Sequence, residues 1–240
     1  LSVQAGAHHM EIHQGGNGTL LGGVPGVAPA KVLVLGGGVV GSSAIRVALG
    51  MGADVTVLDR SVSRLGELDE QYRGQLRTVY STAEALEMHA READLIIGAV
   101  LIPGASAPKL VTAEMLADFK PGTVMVDVAI DQGGCFETSR PTTHADPTYE
   151  VDGVVHYCVA NMPGAVARTA TMALTNATLP YIIRLASNEV GALLLEDKHF
   201  GAGLNIVHGQ LTHRAVAEAL GQMWTEPDQI LTASLHLKSA

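Results

Sequence analysis

Residues 31–41 read Lys31-Val-Leu-Val-Leu-Gly-Gly-Gly-Val-Val-Gly41, and their order decides the fold. Lys31 to Leu35 is a short apolar, β-branched run, the pattern of a buried strand. It ends in Gly36-x-Gly38-x-x-Gly41, and Ser42 to Met51 then reads as helix. Strand, glycine turn and helix form the phosphate-binding turn of a dinucleotide fold. In it Gly36 permits the tight turn, Gly38 lets a pyrophosphate approach the backbone, and Gly41 lets helix and strand pack closely. The free N–H groups and positive dipole end of the helix then face the phosphates.

A second strand, Val55-Thr-Val-Leu-Asp59, ends in an acid 18 residues after Gly41. That acid can accept hydrogen bonds from the adenosine ribose hydroxyls and repels a 2′-phosphate, so the expected cofactor is NAD rather than NADP. The alternative is that Asp59 only caps a helix beginning near Arg60.

The rhythm continues outward from this unit. A helix over about Val62 to Tyr72 precedes a third strand, Leu76 to Tyr80. Ser81-Thr-Ala-Glu84 reads as a capping box opening a helix to about Arg91. Asp94 to Val100 is an apolar fourth strand, Ile102 to Pro108 a loop, Thr112 the start of a short helix, and Gly122 to Ile130 a fifth strand. Val154 to Val159 is a sixth. Alternating strands and helices predict an α/β fold, a doubly wound parallel sheet of the Rossmann type. It spans residues 31–163, after a helix end and glycine-rich linker over 1–30. From Gly164 to about Ser187 runs a long helical stretch, bent near Pro180. Helices over about Glu189–Glu196 and Thr212–Leu220 and a short last helix follow, so 164–240 reads as a connecting helix plus helices of a second, mostly absent domain.

The composition bounds the function. With 240 residues, 47% of them hydrophobic, the chain can bury a substantial core. A net charge of −9 with few basic clusters argues against a nucleic-acid partner. No apolar run reaches the length of a membrane span. Two cysteines, Cys135 and Cys158, suit a reducing cytoplasm, and both read as passive. His8, His9 and His13 read as surface histidines, and no metal site is expected. Leu1-Ser-Val-Gln-Ala reads as the tail of a helix, and the chain as a piece of something longer.

Ligands of doubly wound sheets bind beyond the carboxyl ends of the strands. Asp131-Gln-Gly-Gly-Cys-Phe-Glu sits at such an end, where its carboxylate can approach a nicotinamide or simply bond its own turn. Spacing leaves those two readings level. Arg140 in the following loop can reach a phosphate or another subunit, or be solvated. Asn161 can bond a nicotinamide carboxamide or merely form a turn.

Several stretches together resemble the alanine dehydrogenases. They are Leu21-Gly-Gly-Val-Pro-Gly-Val, the glycine turn, Val57-Leu-Asp59, the block from Asp127-Val-Ala-Ile-Asp-Gln-Gly-Gly-Cys-Phe-Glu to Thr143, Tyr157-Cys-Val-Ala-Asn-Met-Pro163, and Ala173 to Tyr181. The resemblance covers essentially the whole chain, and the Asp127–Thr143 block is its most specific part. It implies NAD-linked, reversible oxidative deamination of L-alanine to pyruvate and ammonia, in cytosolic homo-hexamers. By position, Asp131 matches the catalytic aspartate beside the nicotinamide. Val39, Asp59, Arg64, Ser81, Val100, Leu101, Val128, Ala129, Ile130, Asp131, Arg140, Val159, Ala160, Asn161 and Met162 match positions that contact NAD, beside the turn glycines Gly36, Gly38 and Gly41. Val39 replaces a threonine that some members carry.

In that family a catalytic histidine, and a lysine and an arginine that hold the substrate, come from an N-terminal half that is not represented in this sequence. The chain alone is therefore expected to bind NAD without oxidising alanine. The competing expectations are the NAD-binding domain of a nicotinamide nucleotide transhydrogenase and a non-catalytic NAD-binding module.

Overall fold

The computed structural model describes residues 1–100 and 107–238, with 234–238 as backbone only. The chain forms two compact units, Leu1–Val166 and Ala167–Ala240.

The first unit is built on seven strands: β1 (Lys31–Leu35), β2 (Asp54–Asp59), β3 (Leu76–Tyr80), β4 (Leu95–Gly98), β5 (Val124–Asp127), β6 (Thr148–Val151) and β7 (Val154–Tyr157). Their order in the sheet is β3-β2-β1-β4-β5-β7-β6. All neighbours are parallel except β6 and β7. The chain winds outward from β1 in one direction, then returns and winds from β4 in the other. The carboxyl ends of β1 and β4 thus lie at the point where the winding reverses, which is where such sheets open a crevice.

Successive strand residues face opposite sides of the sheet, and in the central strands β1, β4 and β5 each side is covered, which is why those strands are largely apolar. Val32 and Val34 of β1, with Val55, Val57 and Ile97, pack under α1 (Ser2–His9), α2 (Val39–Gly50) and α3 (Val62–Tyr72). Leu33, Leu35, Ile96 and Met125 pack on the other side with Leu86 and Ala90 of α4 (Ala83–Glu92) and with Phe136.

Five local readings are corrected by the structure. The first residues are part of this core: Val3, Gly6, His9 and Met10 are buried, and a Cβ on Gly6 would lie 2.6 Å from Leu95. His9 is therefore no surface histidine, although His8 and His13 are exposed. Helix α4 is capped by Thr82, whose hydroxyl accepts from the Ala85 amide at 3.0 Å. The Ser81 amide is instead engaged by the Asp59 carbonyl, so Ser81 continues the strand pairing. Strand β5 stops at Asp127, because that carboxylate accepts the Ala129 amide and turns the chain. The stretch near Thr112 forms only a 3-10 turn, Glu114–Asp118. Finally, β6 precedes the strand read as the sixth. It pairs with β7 through a two-residue loop in which Asp152 (φ 50°) and Gly153 (φ 76°) are both left-handed, the twist a tight hairpin needs.

The second unit begins with α5 (Ala167–Ser187), with Pro180 inside it, and continues through α6 (Val190–Glu196) and α7 (Lys198–Gly201). A short hairpin, β8 (Ile206–Val207) with β9 (Gln210–Leu211), leads to α8 (Arg214–Leu220) and α9 (Pro227–Lys238). Within it Arg184 reaches the Asp197 carboxylate at 2.9 Å and lies over the Phe200 ring.

Candidate nucleotide site

The site is built outward from the turn between β1 and α2. A Cβ on Gly41 would lie 1.8 Å from the Gly36 carbonyl oxygen, so only glycine lets helix and strand meet there. Gly38 is the opposite case. A Cβ on it would meet nothing within 4 Å, so its side of the turn faces open space. Gly38 also stands immediately before α2, and no side chain caps that end. The first-turn amides of a 12-residue helix therefore point outward without helical partners, carrying the positive end of its dipole.

Between these glycines the Gly37 peptide is gripped from both ends. Its amide donates to Oδ2 of Asp59 at 2.7 Å, and its carbonyl accepts from Nε of Arg64 at 2.7 Å. Arg64 also donates to Oγ of Ser42 at 2.7 Å, and Ser42 donates to the Gly38 carbonyl at 2.7 Å. Oδ1 of Asp59 accepts the Ser61 amide at 2.8 Å. Helix α3 is capped by Ser61, whose hydroxyl accepts the Arg64 amide. Asp59 thus belongs to the turn and is not the cap of that helix. Each of its oxygens holds one backbone amide and keeps lone pairs for a further donor.

In front of this turn lies a cleft of about 460 Å³, within the range of small-molecule sites. Gly36, Gly38, Val39, Asp59, Ser81 and Val100 all line it, beside apolar walls that include Leu35 and Leu58. Val39 is 88% exposed at its mouth. Arg64 is not in the wall; it acts on the turn.

The other expected residues lie along the ends of β4, β5 and β7. The Val128 amide donates to the Gly98 carbonyl at 3.0 Å, extending the pairing of β5 beside β4. Ala129 and Ile130 are buried, whereas Asp131 is exposed on a one-turn 3-10 segment, Ile130–Gln132. Thr142 bridges to Val159, with the Thr142 amide on the Cys158 carbonyl, so the strand following Arg140 runs beside the end of β7. Val159 and Met162 are buried, and Ala160 is half-buried. Asn161 is exposed with a left-handed φ of 55°, and its carbonyl lies 3.2 Å from Nε2 of His144. Leu101, with most of the loop read over 102–108, lies outside the described residues.

Two supports of this rim went unread in the sequence. The first is Asp127, fully buried at the end of β5. Its carboxylate accepts from the amides of Ala129 (3.1 Å) and Cys135 (2.8 Å) and from the Ser139 hydroxyl (2.5 Å). It therefore closes the loop that carries Asp131 onto itself. Burial raises its pKa, and the three hydrogen bonds oppose that rise. The second is the pair Tyr149 and His156, which face each other across β6 and β7 and stack with ring centroids 5.0 Å apart. The hairpin signal Asp152-Gly153, just before the apolar run from Val154, was the clue to that strand.

Both cysteines are buried. Burial, then the Asp127 carboxylate, pushes the Cys135 thiol up to about 12, so it is no thiolate at neutral pH. Its Sγ donates to the Val100 carbonyl and ties the loop to β4.

A family model described as the C-terminal domain of alanine dehydrogenase/PNT matches residues 2–214. The alanine dehydrogenase of Halomonas elongata is 66% identical over 231 residues, 96% of this chain and 62% of that protein. Among solved structures, an L-alanine dehydrogenase superposes with a TM-score of 0.87 at 51% identity, covering 92% of this chain and 61% of its own. A transhydrogenase from Sinorhizobium meliloti gives a TM-score of 0.66 at 27% identity, over 90% and 61% of the two chains. The chain therefore spans somewhat over three-fifths of the length of these relatives.

Proposed function

This chain belongs to the alanine dehydrogenase/PNT family, and from that premise we propose that it is the NAD-binding portion of an alanine dehydrogenase. The reaction is the reversible oxidative deamination of L-alanine to pyruvate and ammonia. The observation that carries the reading is the Gly37 peptide held between Asp59 and Arg64 at the uncapped start of α2, facing the cleft.

The residues fit the cofactor. The open side of Gly38 and the free amides of α2 suit a pyrophosphate, and the lone pairs left on Asp59 suit the two ribose hydroxyls. A 2′-phosphate on that ribose would meet the Asp59 charge, which favours NAD over NADP. The apolar walls, Leu35, Leu58, Leu86 and Leu110 among them, suit the adenine end. When bound, NAD supplies the acceptor for the hydride that leaves the alanine Cα.

On the rim, Asp131 is the candidate catalytic residue. Its carboxylate is exposed on a turn whose neighbours Ala129 and Ile130 are anchored in the core, so it is presented outward from a fixed base. Its role in this reading is to orient the nicotinamide end. Val128, Ala160, Asn161 and Met162 frame the same end. The histidine, lysine and arginine that complete the chemistry belong, on this reading, to the remainder of the protein. That remainder and further subunits of a cytoplasmic homo-hexamer are the proposed partners of α5, where Met172, Leu174, Tyr181, Ile182 and Ile183 are exposed.

The likeness to a transhydrogenase supports a second reading, in which the domain delivers hydride to NADP rather than to an imino acid. The far higher identity to an alanine dehydrogenase favours the first. The two are separated by assaying the full-length protein. NADH formation dependent on L-alanine, with no need for NADP, is expected of the full-length protein and not of the 240-residue chain alone. Alanine oxidation by that chain alone, or turnover only with NADPH, would contradict the proposal.

A further inference from the structure

Arg140 is held in an unusual way for a loop arginine. Its side chain is exposed, and among the described residues it makes no ion pair. Its guanidinium carbon instead lies over the Tyr149 ring, 4.0 Å from the centroid. The Tyr149 hydroxyl accepts the Arg140 amide at 2.8 Å and donates to the Thr138 carbonyl at 2.8 Å, fixing the backbone on both sides of Ser139. Tyr149 is itself backed by the ring of His156. His156 is wholly buried, donates from Nδ1 to the Val154 carbonyl at 3.0 Å, and so accepts at Nε2 from the Thr138 hydroxyl at 2.8 Å. The result is a three-layer pile, imidazole, phenol and guanidinium, whose lower two layers are set by the register of β6 on β7.

We propose that Tyr149 is a positioning residue for Arg140, holding its guanidinium ready for an oxygen at the nicotinamide end of the bound nucleotide. A guanidinium that meets a ring through its charge and π-system keeps N–H donors for a hydrogen bond to such an oxygen. A free arginine must lose much rotamer freedom to make that bond, and the ring removes that freedom before the ligand arrives. The inference rests on the reading that Arg140 contacts NAD.

The test is calorimetric titration of the 240-residue chain with NAD. Arg140→Ala is expected to weaken binding about tenfold or more, as loss of a charge-assisted hydrogen bond. Tyr149→Leu should weaken it roughly 2- to 5-fold, as loss of an exposed cation–π contact. Tyr149→Phe, which keeps the ring, should recover most of that loss. In the Arg140→Ala background Tyr149→Leu should cost nothing further, because its effect runs through the guanidinium. The same fold loss in both backgrounds would show a merely structural role and overturn the proposal. Should Tyr149→Leu not fold, Arg140→Lys serves instead: it leaves the hairpin untouched and keeps the charge but not the guanidinium. It should leave most of the deficit in place, and full affinity would overturn the proposal. Unchanged affinity in Arg140→Ala would remove the contact on which the inference rests, whereas no binding by the unaltered chain would contradict the proposed function itself.

Discussion

The carboxylate of Asp59 accepts the amide of Gly37 across 2.7 Å, joining the end of β2 to the turn after β1. The acid placed to grip a ribose thus also sets the shape of the turn that meets the phosphates. Asp59→Ala is expected to weaken NAD binding by roughly 10- to 100-fold, since hydrogen bonds to a charged group are lost. Asp59→Asn can still accept the Gly37 amide but loses the charge. It should bind NAD better than Asp59→Ala and discriminate less against NADP. Both are checked by titration with the two cofactors.

The glycines of the turn should separate stability from binding. Gly38→Ala adds a methyl group to open space at an ordinary φ of −67°, so the melting temperature should stay within about 2 °C. The same methyl stands where the phosphates approach, and NAD affinity should fall roughly tenfold or more. Gly41→Ala drives a Cβ into the Gly36 carbonyl. Overpacking of that kind costs about 3 kcal/mol, lowering the melting temperature by roughly 6 °C or more. Thermal melts of the two variants, read beside NAD titrations, check the contrast.

Asp127 does not line the cleft, yet the loop bearing Asp131 depends on it. Asp127→Ala leaves the Cys135 and Ala129 amides and the Ser139 hydroxyl without their acceptor. An unpaired buried donor costs about 1–3 kcal/mol, so the variant should melt several degrees lower. It should also take up backbone deuterium faster over residues 128–139, with the β1–β2 turn unchanged. Uniform protection in that loop would contradict the role assigned to Asp127.

Much of this architecture was legible because the signals were local. The apolar run 31–35 and the three glycines after it are contiguous, and Asp59 follows at a spacing set by one helix. What was not legible depends on pairing across distance. Tyr149 looks like any residue of a polar stretch until β6 is set against β7 and its ring meets His156. Asp127 reads as the interior of a strand until its carboxylate folds the chain back. His9 is polar in a short helix, and only the packing of α1 on the sheet buries it, 5% exposed, against Tyr157.

That burial carries a pH dependence. Desolvation, with the neighbouring His8, lowers the pKa of His9, and desolvation lowers that of His156. Both bind protons more weakly folded than unfolded. Their contribution is therefore complete above the unfolded value of about 6.5 and is lost as pH falls below it. The raised pKa of Asp127 acts in the opposite sense, in the more acidic range between its folded and unfolded values. The melting temperature should fall between pH 7.5 and 5.5, and His9→Leu should flatten that slope. An unchanged slope in His9→Leu would assign the effect elsewhere.

The central claim is that backbone amides past Leu35 hold a diphosphate while Asp59 holds the adjoining ribose. Its most direct measurement is a crystal structure of the 240-residue chain soaked with NAD. The account predicts the pyrophosphate at the start of α2 beside Gly38 and the adenosine ribose hydroxyls within hydrogen-bonding distance of Asp59. Cofactor lodged away from the β1–α2 turn, or a ribose that leaves the Asp59 carboxylate untouched, would contradict it.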